Sequence, residues 1–208
     1  MKKVLMMAFM AVMAVTAQAG DEKEFTVTSG NFVEITSQPG KTATVEFDYD
    51  KAKVGNLTTK DISNETLVAF LKKNDEKAFE KWDAIQADSK KYFINRWNEE
   101  KKSRFMFVED GKADYKVKIH ADQIDTGNAG AATWSMSKRD GGVVMNGTLE
   151  IIDTKSGKQV CKVKINRYKG ASRTTFDVKN ANFNRRMQMF HKSLAKDLLG
   201  DVKNLYLT

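Results

Sequence analysis

Three features of the sequence predict an α+β fold. Apolar residues recur with period two in a block near the start and in a longer block after residue 104, the pattern of half-buried strands. Between and after those blocks they recur at spacings of three and four, the pattern of amphipathic helices. The chain has 208 residues, a single proline (Pro39) and no low-complexity linker, so these segments read as one unit. The expected architecture is a single domain with a mainly antiparallel sheet, formed by an N-terminal hairpin plus a C-terminal meander. Two amphipathic helical segments pack on one face of that sheet.

The first segment, MKKVLMMAFMAVMAVTAQA (residues 1–19), reads as a signal peptide. Lys2 and Lys3 form its charged start, Val4 to Val15 its apolar run, and Ala17-Gln18-Ala19 the small-x-small pattern that precedes cleavage. Cleavage is expected between Ala19 and Gly20, leaving residues 20–208 as the domain. An apolar run of about twelve residues falls short of the roughly 20 that span a bilayer. The expected location is therefore periplasmic or secreted, in a bacterium. No cysteine follows the apolar run to accept a lipid, so no lipid anchor is expected, and no later stretch reads as a transmembrane segment.

Residues 25–35 and 43–47 alternate around the turn SQPGK and predict the N-terminal hairpin. A helical region is expected from about Asp61–Glu65, with Leu67, Phe70 and Leu71 on one face. Phe79, Trp82, Ile85, Tyr92, Phe93 and Trp97 continue that face, with a break near Lys73–Asp75. The period then returns to two. Phe105 to Val108 predicts a short strand, and Tyr115, Val117, Ile119 and Ala121 face inward on the next. A further strand is expected in AATWSMS, followed by a turn at KRDGG, where Asp-Gly tolerates positive φ. Met145, Leu149 and Ile151, then Cys161, Val163 and Ile165, predict two more strands. A final helix from Asn180, capped by Asn182, carries the stripe Phe183, Met187, Phe190, Leu194 and Leu198.

Cleavage of the leader, with its two lysines, lowers the formal charge from +8 to +6. Such a charge attracts polyanions at long range, although acids and bases are interspersed as on an ordinary solvated surface. Lys116, Lys118, Lys162 and Lys164 alternate with the inward residues of their strands. They form a candidate binding surface if the sheet order brings them together. Trp134 is a second candidate contact, suited to sugar stacking or a protein hot spot, although packing across a hairpin is the preferred reading.

Catalytic chemistry finds little support. Asp125-Thr126-Gly127 is the one aspartic-protease-like triplet, but that chemistry needs two carboxylates sharing a proton, and a glycine turn stabilised by the Asp side chain explains it as well. His120 and His191, the only histidines, lie outside any zinc-binding spacing. They read as surface or boundary residues. Cys161, the only cysteine, is in phase with Val163 and Ile165 and reads as a small buried hydrophobe. Phosphate-binding, nucleophile-elbow and dinucleotide motifs are absent. No catalytic residue, metal, cofactor or nucleic-acid partner is expected.

RFMFVEDGKADYKVKIHADQ, a glycine-punctuated loop, NGTLEIIDTKSGKQVCKVKI and a C-terminal amphipathic helix follow one another in the last half of the chain. This order, with its ADY strand and its strand ending in IIDTKSG, resembles the envelope proteins related to LpoB, CsgG and the TolB N-terminal domain. The resemblance covers roughly residues 42–205. It implies a non-catalytic, protein-binding or assembly role but no specific partner; with the basic charge, the expected partner is an envelope protein or an acidic glycan. That family is largely lipoproteins, and the missing lipid-accepting cysteine is a departure from it. The alternative is an aspartic-type envelope hydrolase using Asp125.

Overall fold

The computed structural model describes residues 23–57, 61–100, 105–109, 111–127, 142–171 and 182–200. The α+β expectation holds: among the described residues, helices pack on an eight-stranded, mostly antiparallel sheet. Its long strands are β6 (Tyr115–Asp125), β7 (Val144–Asp153) and β8 (Gln159–Lys169), which form the expected antiparallel meander. Their inward residues Val117, Ile119, Leu149, Ile151, Cys161, Val163 and Ile165 are all buried. The predicted strand at AATWSMS and the KRDGG turn lie outside the described residues, apart from Gly142.

The N-terminal hairpin does not form. β1 (Phe25–Ser29) pairs with β8 on one side of the meander, and β2 (Thr42–Asp48) pairs parallel to β6 on the other. Between them Asn31 accepts the Glu34 amide at 3.1 Å and caps a short helix, α1 (Phe32–Thr36). Phe32, Ile35 and Thr36 are its buried residues. A helical turn thus uses residues 32 and 35 where alternation would use 33 and 35. The strand β5 (Met106–Phe107) lies parallel to β2 at Thr42 and Ala43.

The first helical segment starts later than its pattern suggested. Asp61–Thr66 is a strand, β4, antiparallel to β3 (Lys53–Asn56). The helix α2 (Leu67–Asn74) begins after Thr66, whose side chain accepts the Ala69 amide. The expected break falls at Asp75, which ends α2 and caps α3 (Glu76–Glu80) by accepting the Ala78 amide at 3.1 Å. The long α4 (Trp82–Glu99) follows and packs against the closing helix α5 (Phe183–Gly200). Asn182 caps α5 as expected, accepting the Arg185 amide at 2.9 Å. Met187, Phe190, Leu194 and Leu198 of the α5 stripe are fully buried.

Bulges adjust the phase of the meander midway along its strands. One lies between Ala121 and Gln123 of β6, so burial shifts from Ala121 to Ile124. A matching irregularity in the β7–β8 register shifts burial from Ile165 to Tyr168, with Arg167 at φ 44°. Asn146 ties the two together: its Oδ1 accepts the Arg167 amide at 2.7 Å and its Nδ2 donates to Gln123 at 2.8 Å. Beside it, a Cβ on Gly147 would sit 2.2 Å from the His120 carbonyl oxygen, so the strands approach closely only because residue 147 is glycine.

Cys161 lies opposite Ile151 and is fully buried. Burial pushes its thiol up to about 11, so it stays protonated and unreactive near neutral pH. A bulky thiol reagent should label it in the folded protein only as fast as the chain opens. Cys161→Ala should cost on the order of 1 kcal/mol by denaturant titration, and Cys161→Asp far more, since it buries a carboxylate. Rapid labelling under native conditions would overturn the inward placement of the whole strand.

Candidate functional site: the bare face of the sheet

Among the described residues, the helices cover one side of the sheet and leave the other to solvent. Residues alternating with the buried ones therefore line a polar face across β8, β7, β6 and β2. The register sets them in rows. Lys162 stands opposite Glu150, Glu150 opposite Lys118, and Lys118 opposite Glu46. The next row runs Lys164, Thr148, His120, Asp48. Charges alternate in sign across four strands in the first row, the cross-strand arrangement that stabilises neighbours and avoids like-charge opposition. The second row runs from a lysine through two polar residues to a carboxylate.

All four candidate lysines lie on this face, interleaved with carboxylates. Lys162 Nζ is 2.9 Å from Glu150, and Lys116 Nζ is 2.5 Å from Glu46. The hydrogen bond from Lys116 holds the Glu46 carboxyl below its usual range, against a smaller opposing effect of burial. His120 Nδ1 donates to Asp48 at 2.9 Å, and its Nε2 lies 3.3 Å from Asp122. For Asp48 burial acts upward, yet the hydrogen bonds from His120 and the Asp50 amide together leave its pKa lowered. Glu46, Asp48, Lys118, His120, Glu150 and Lys162 line a groove of about 420 Å³. Each pair is part-exposed and so contributes little to stability, in the range of about 0–1 kcal/mol.

The sequence pointed to the lysines on this face, but not to Glu46 and Asp48. These come from a strand some seventy residues upstream of β6, placed by a parallel pairing that no local pattern announces. The TVEFD alternation was the available signal. Trp134 lies outside the described residues.

The other sequence candidates have structural partners. Asp125 Oδ1 accepts the Gly127 amide at 2.9 Å, and Gly127 has φ 73°, the arrangement of a side-chain-stabilised turn. Arg186 of α5 donates to the neighbouring Thr126 carbonyl at 2.9 Å and fastens that turn to the helix layer. Among the described residues no cluster of three or more His, Cys, Asp or Glu could hold a metal ion. His191 is not a surface or boundary residue. It is 1% exposed, its Nδ1 lies 2.7 Å from the Met187 carbonyl, and its Nε2 lies 2.7 Å from the Tyr49 hydroxyl. A carbonyl only accepts, so Nδ1 carries the proton and Nε2 accepts from Tyr49. Phe190 beside it faces inward, and the α5 backbone turns His191 into the same aromatic cluster with Phe47 and Tyr49.

No family model matches the chain, and no curated protein does, so the resemblance to LpoB, CsgG and TolB finds no support there. Among solved structures, the chain is similar to a PelC variant dodecamer from Paraburkholderia phytofirmans. That match has 15% identity and a TM-score of 0.37, over 84% of this chain and 95% of that one. A second PelC dodecamer structure matches at 13% identity and a TM-score of 0.35, with the same coverage. A Xanthomonas campestris protein described as DUF330 matches at 10% identity and 0.32, over 86% and 93%. Likeness at this level carries no functional inference. Among the described residues no helix is long and apolar enough to cross a membrane.

Proposed function

We propose that this chain is a non-catalytic binding or assembly module of the bacterial cell envelope, acting in the periplasm or after secretion. The observation that carries the reading is the uncovered face of the sheet, with ordered rows of charge and a groove held by β8, β7, β6 and β2. A rigid sheet is a precise platform for a partner, because its side chains are fixed by the strand register. The export-like leader and the resemblance to envelope assembly proteins support the location and the role. An envelope protein or an acidic glycan is the expected partner class. The hydrolase alternative would use Asp125, whose Oδ1 accepts the Gly127 amide within its turn, and that chemistry needs a second carboxylate to share the proton.

Chain lacking residues 1–19, immobilised and exposed to acidic envelope polysaccharide, should retain it at low salt. Retention should fall as salt rises, since exposed charges are screened beyond about 10 Å at 0.1 M. Replacing Lys116, Lys118, Lys162 and Lys164 with glutamine should remove most of it, while Asp125→Asn should leave it intact. Equal retention by the quadruple variant would show that this face is only a solvated surface. Turnover of an envelope polymer or peptide that is lost in Asp125→Asn would favour the hydrolase.

A further inference from the structure

The two rows of polar and charged residues end on carboxylates, Glu46 and Asp48, and among the described residues they end there because β2 is an open edge over most of its length. β5 pairs only with Thr42 and Ala43. The Ala43 carbonyl accepts the Val108 amide at 2.9 Å and the Lys41 carbonyl the Met106 amide at 3.0 Å, so odd-numbered residues of β2 aim their backbone groups away from β6. Strand geometry then aims the N–H and C=O of Val45 and Phe47 outward as well. Among the described residues no strand pairs with β2 there. The window from Thr44 to Asp48 is about 17 Å long at about 3.3 Å per residue. A cavity of about 410 Å³ opens onto it, walled by Gln86, Ala87 and Lys90 of α4 and by Glu109.

We infer that this window takes a short extended segment of a partner protein as an added strand. Unpaired edge groups are templates for such pairing, and main-chain bonds supply affinity while alternate side chains supply specificity. The residues of β2 define those side chains. On the polar face the newcomer lies beside Glu46 and Asp48, which continues the alternation of sign only if it carries Lys or Arg at positions i and i+2. On the helix side it lies beside Val45, Phe47 and Ala87, which suits a small apolar residue between them. A second copy of the same edge is disfavoured, because an antiparallel pairing centred on Glu46 sets two glutamates opposite each other. The inference rests on the binding-module reading and names the partner's chemistry, at the edge of the proposed face.

The test uses the peptide acetyl-Lys-Val-Lys-Val-Lys-amide, its glutamate counterpart, and two versions N-methylated at the valines or at the lysines. Binding to the full chain lacking residues 1–19 is followed by amide NMR and isothermal titration. The lysine peptide should bind at least about tenfold more tightly than the glutamate one, with slowed exchange of the Val45 and Phe47 amides. One N-methylation phase should abolish binding and the other should not, which also gives the strand direction. Glu46→Lys with Asp48→Lys should reverse the charge preference. Equal binding of both N-methylated peptides, or shifts confined to Thr148 and Lys164, would overturn strand addition. Retention of envelope material by a chain that binds none of these peptides would overturn the edge inference alone. Peptide binding without such retention would overturn the envelope role alone.

Discussion

Lowering the pH from 7 to 4 should cost this protein about 3 kcal/mol of stability through His191 alone. The ring is buried, its Nδ1–H is held by the Met187 carbonyl and its Nε2 by the Tyr49 hydroxyl, and Phe47 and Phe190 pack around it. Burial pushes its pKa down from 6.5 to about 4, more than the Met187 bond raises it. Above pH 6.5 the imidazole is neutral in both the folded and unfolded chain and no penalty exists. Between 6.5 and 4 the unfolded chain takes up a proton that the folded one refuses, so stability falls by about 1.4 kcal/mol per pH unit. Below 4 this contribution levels off. The carboxylates with lowered pKa lose their stabilising contribution as pH falls from their ordinary values toward their lower folded ones. For Asp48, Asp114 and Asp153 that starts at about 3.8, beneath this window, and only Glu46, starting at about 4.5, adds to the slope at its foot. Urea titrations at half-unit pH steps should show the slope, and His191→Gln should flatten it at some cost in stability at pH 7. A wild-type midpoint that does not move between pH 6.5 and 4.5 would contradict a neutral, buried ring.

The same histidine shows what the sequence could and could not reveal. Helical periodicity located the α5 stripe because each residue's face follows from its neighbours on one element. Residue 191 falls just beside Phe190 on that wheel, and its burial is decided by Tyr49, which lies 142 positions away. Local patterns carry no record of such a partner. The long strands of the meander were legible for the same reason that α5 was, since one of their faces is buried and the other wet. Where backbone hydrogen bonding competed with alternation, the pattern misled. Asn31 offered a cap and turned residues 32–36 into a helix, and residues 61–66 were captured as a strand by β3.

The candidate site was legible in part. The outward lysines of β6 and β8 could be read from strand phase, but their carboxylate neighbours on β2 depend on a parallel pairing between distant segments. That pairing turns what reads as a basic patch into rows of compensated charge. Among the described residues it also leaves the outer edge of β2 open, because the short β5 covers only its first two residues. Both properties come from strand order, which a sequence of alternating residues does not specify.

Trp97→Ala should be among the most damaging single substitutions, at about 3–5 kcal/mol. Trp97 is 1% exposed and lies where α4 meets α1 and β5. Its ring makes edge contacts with Phe32, Phe105 and Phe107 and stacks on Phe93, and its Nε1 donates to the Phe105 carbonyl at 2.9 Å. Truncation removes a large buried surface from a cluster held by three elements, and rigid neighbours on a sheet collapse poorly into the space. In a chain of this length, each 1 kcal/mol moves the melting midpoint by about 2–4 °C, so a fall of about 6–20 °C is expected. Trp97→Phe separates the contributions. It keeps most of the apolar volume but loses the hydrogen bond to Phe105, and should cost about 1–3 kcal/mol. Because the same carbonyl anchors β5 beside β2, the Phe variant should also loosen β5, seen as faster exchange of the Met106 and Val108 amides that bond to Lys41 and Ala43. If Trp97→Ala shifted the midpoint by no more than Trp97→Phe does, the ring would not be filling the junction, and the packing of α4 onto β5 would have to be redrawn.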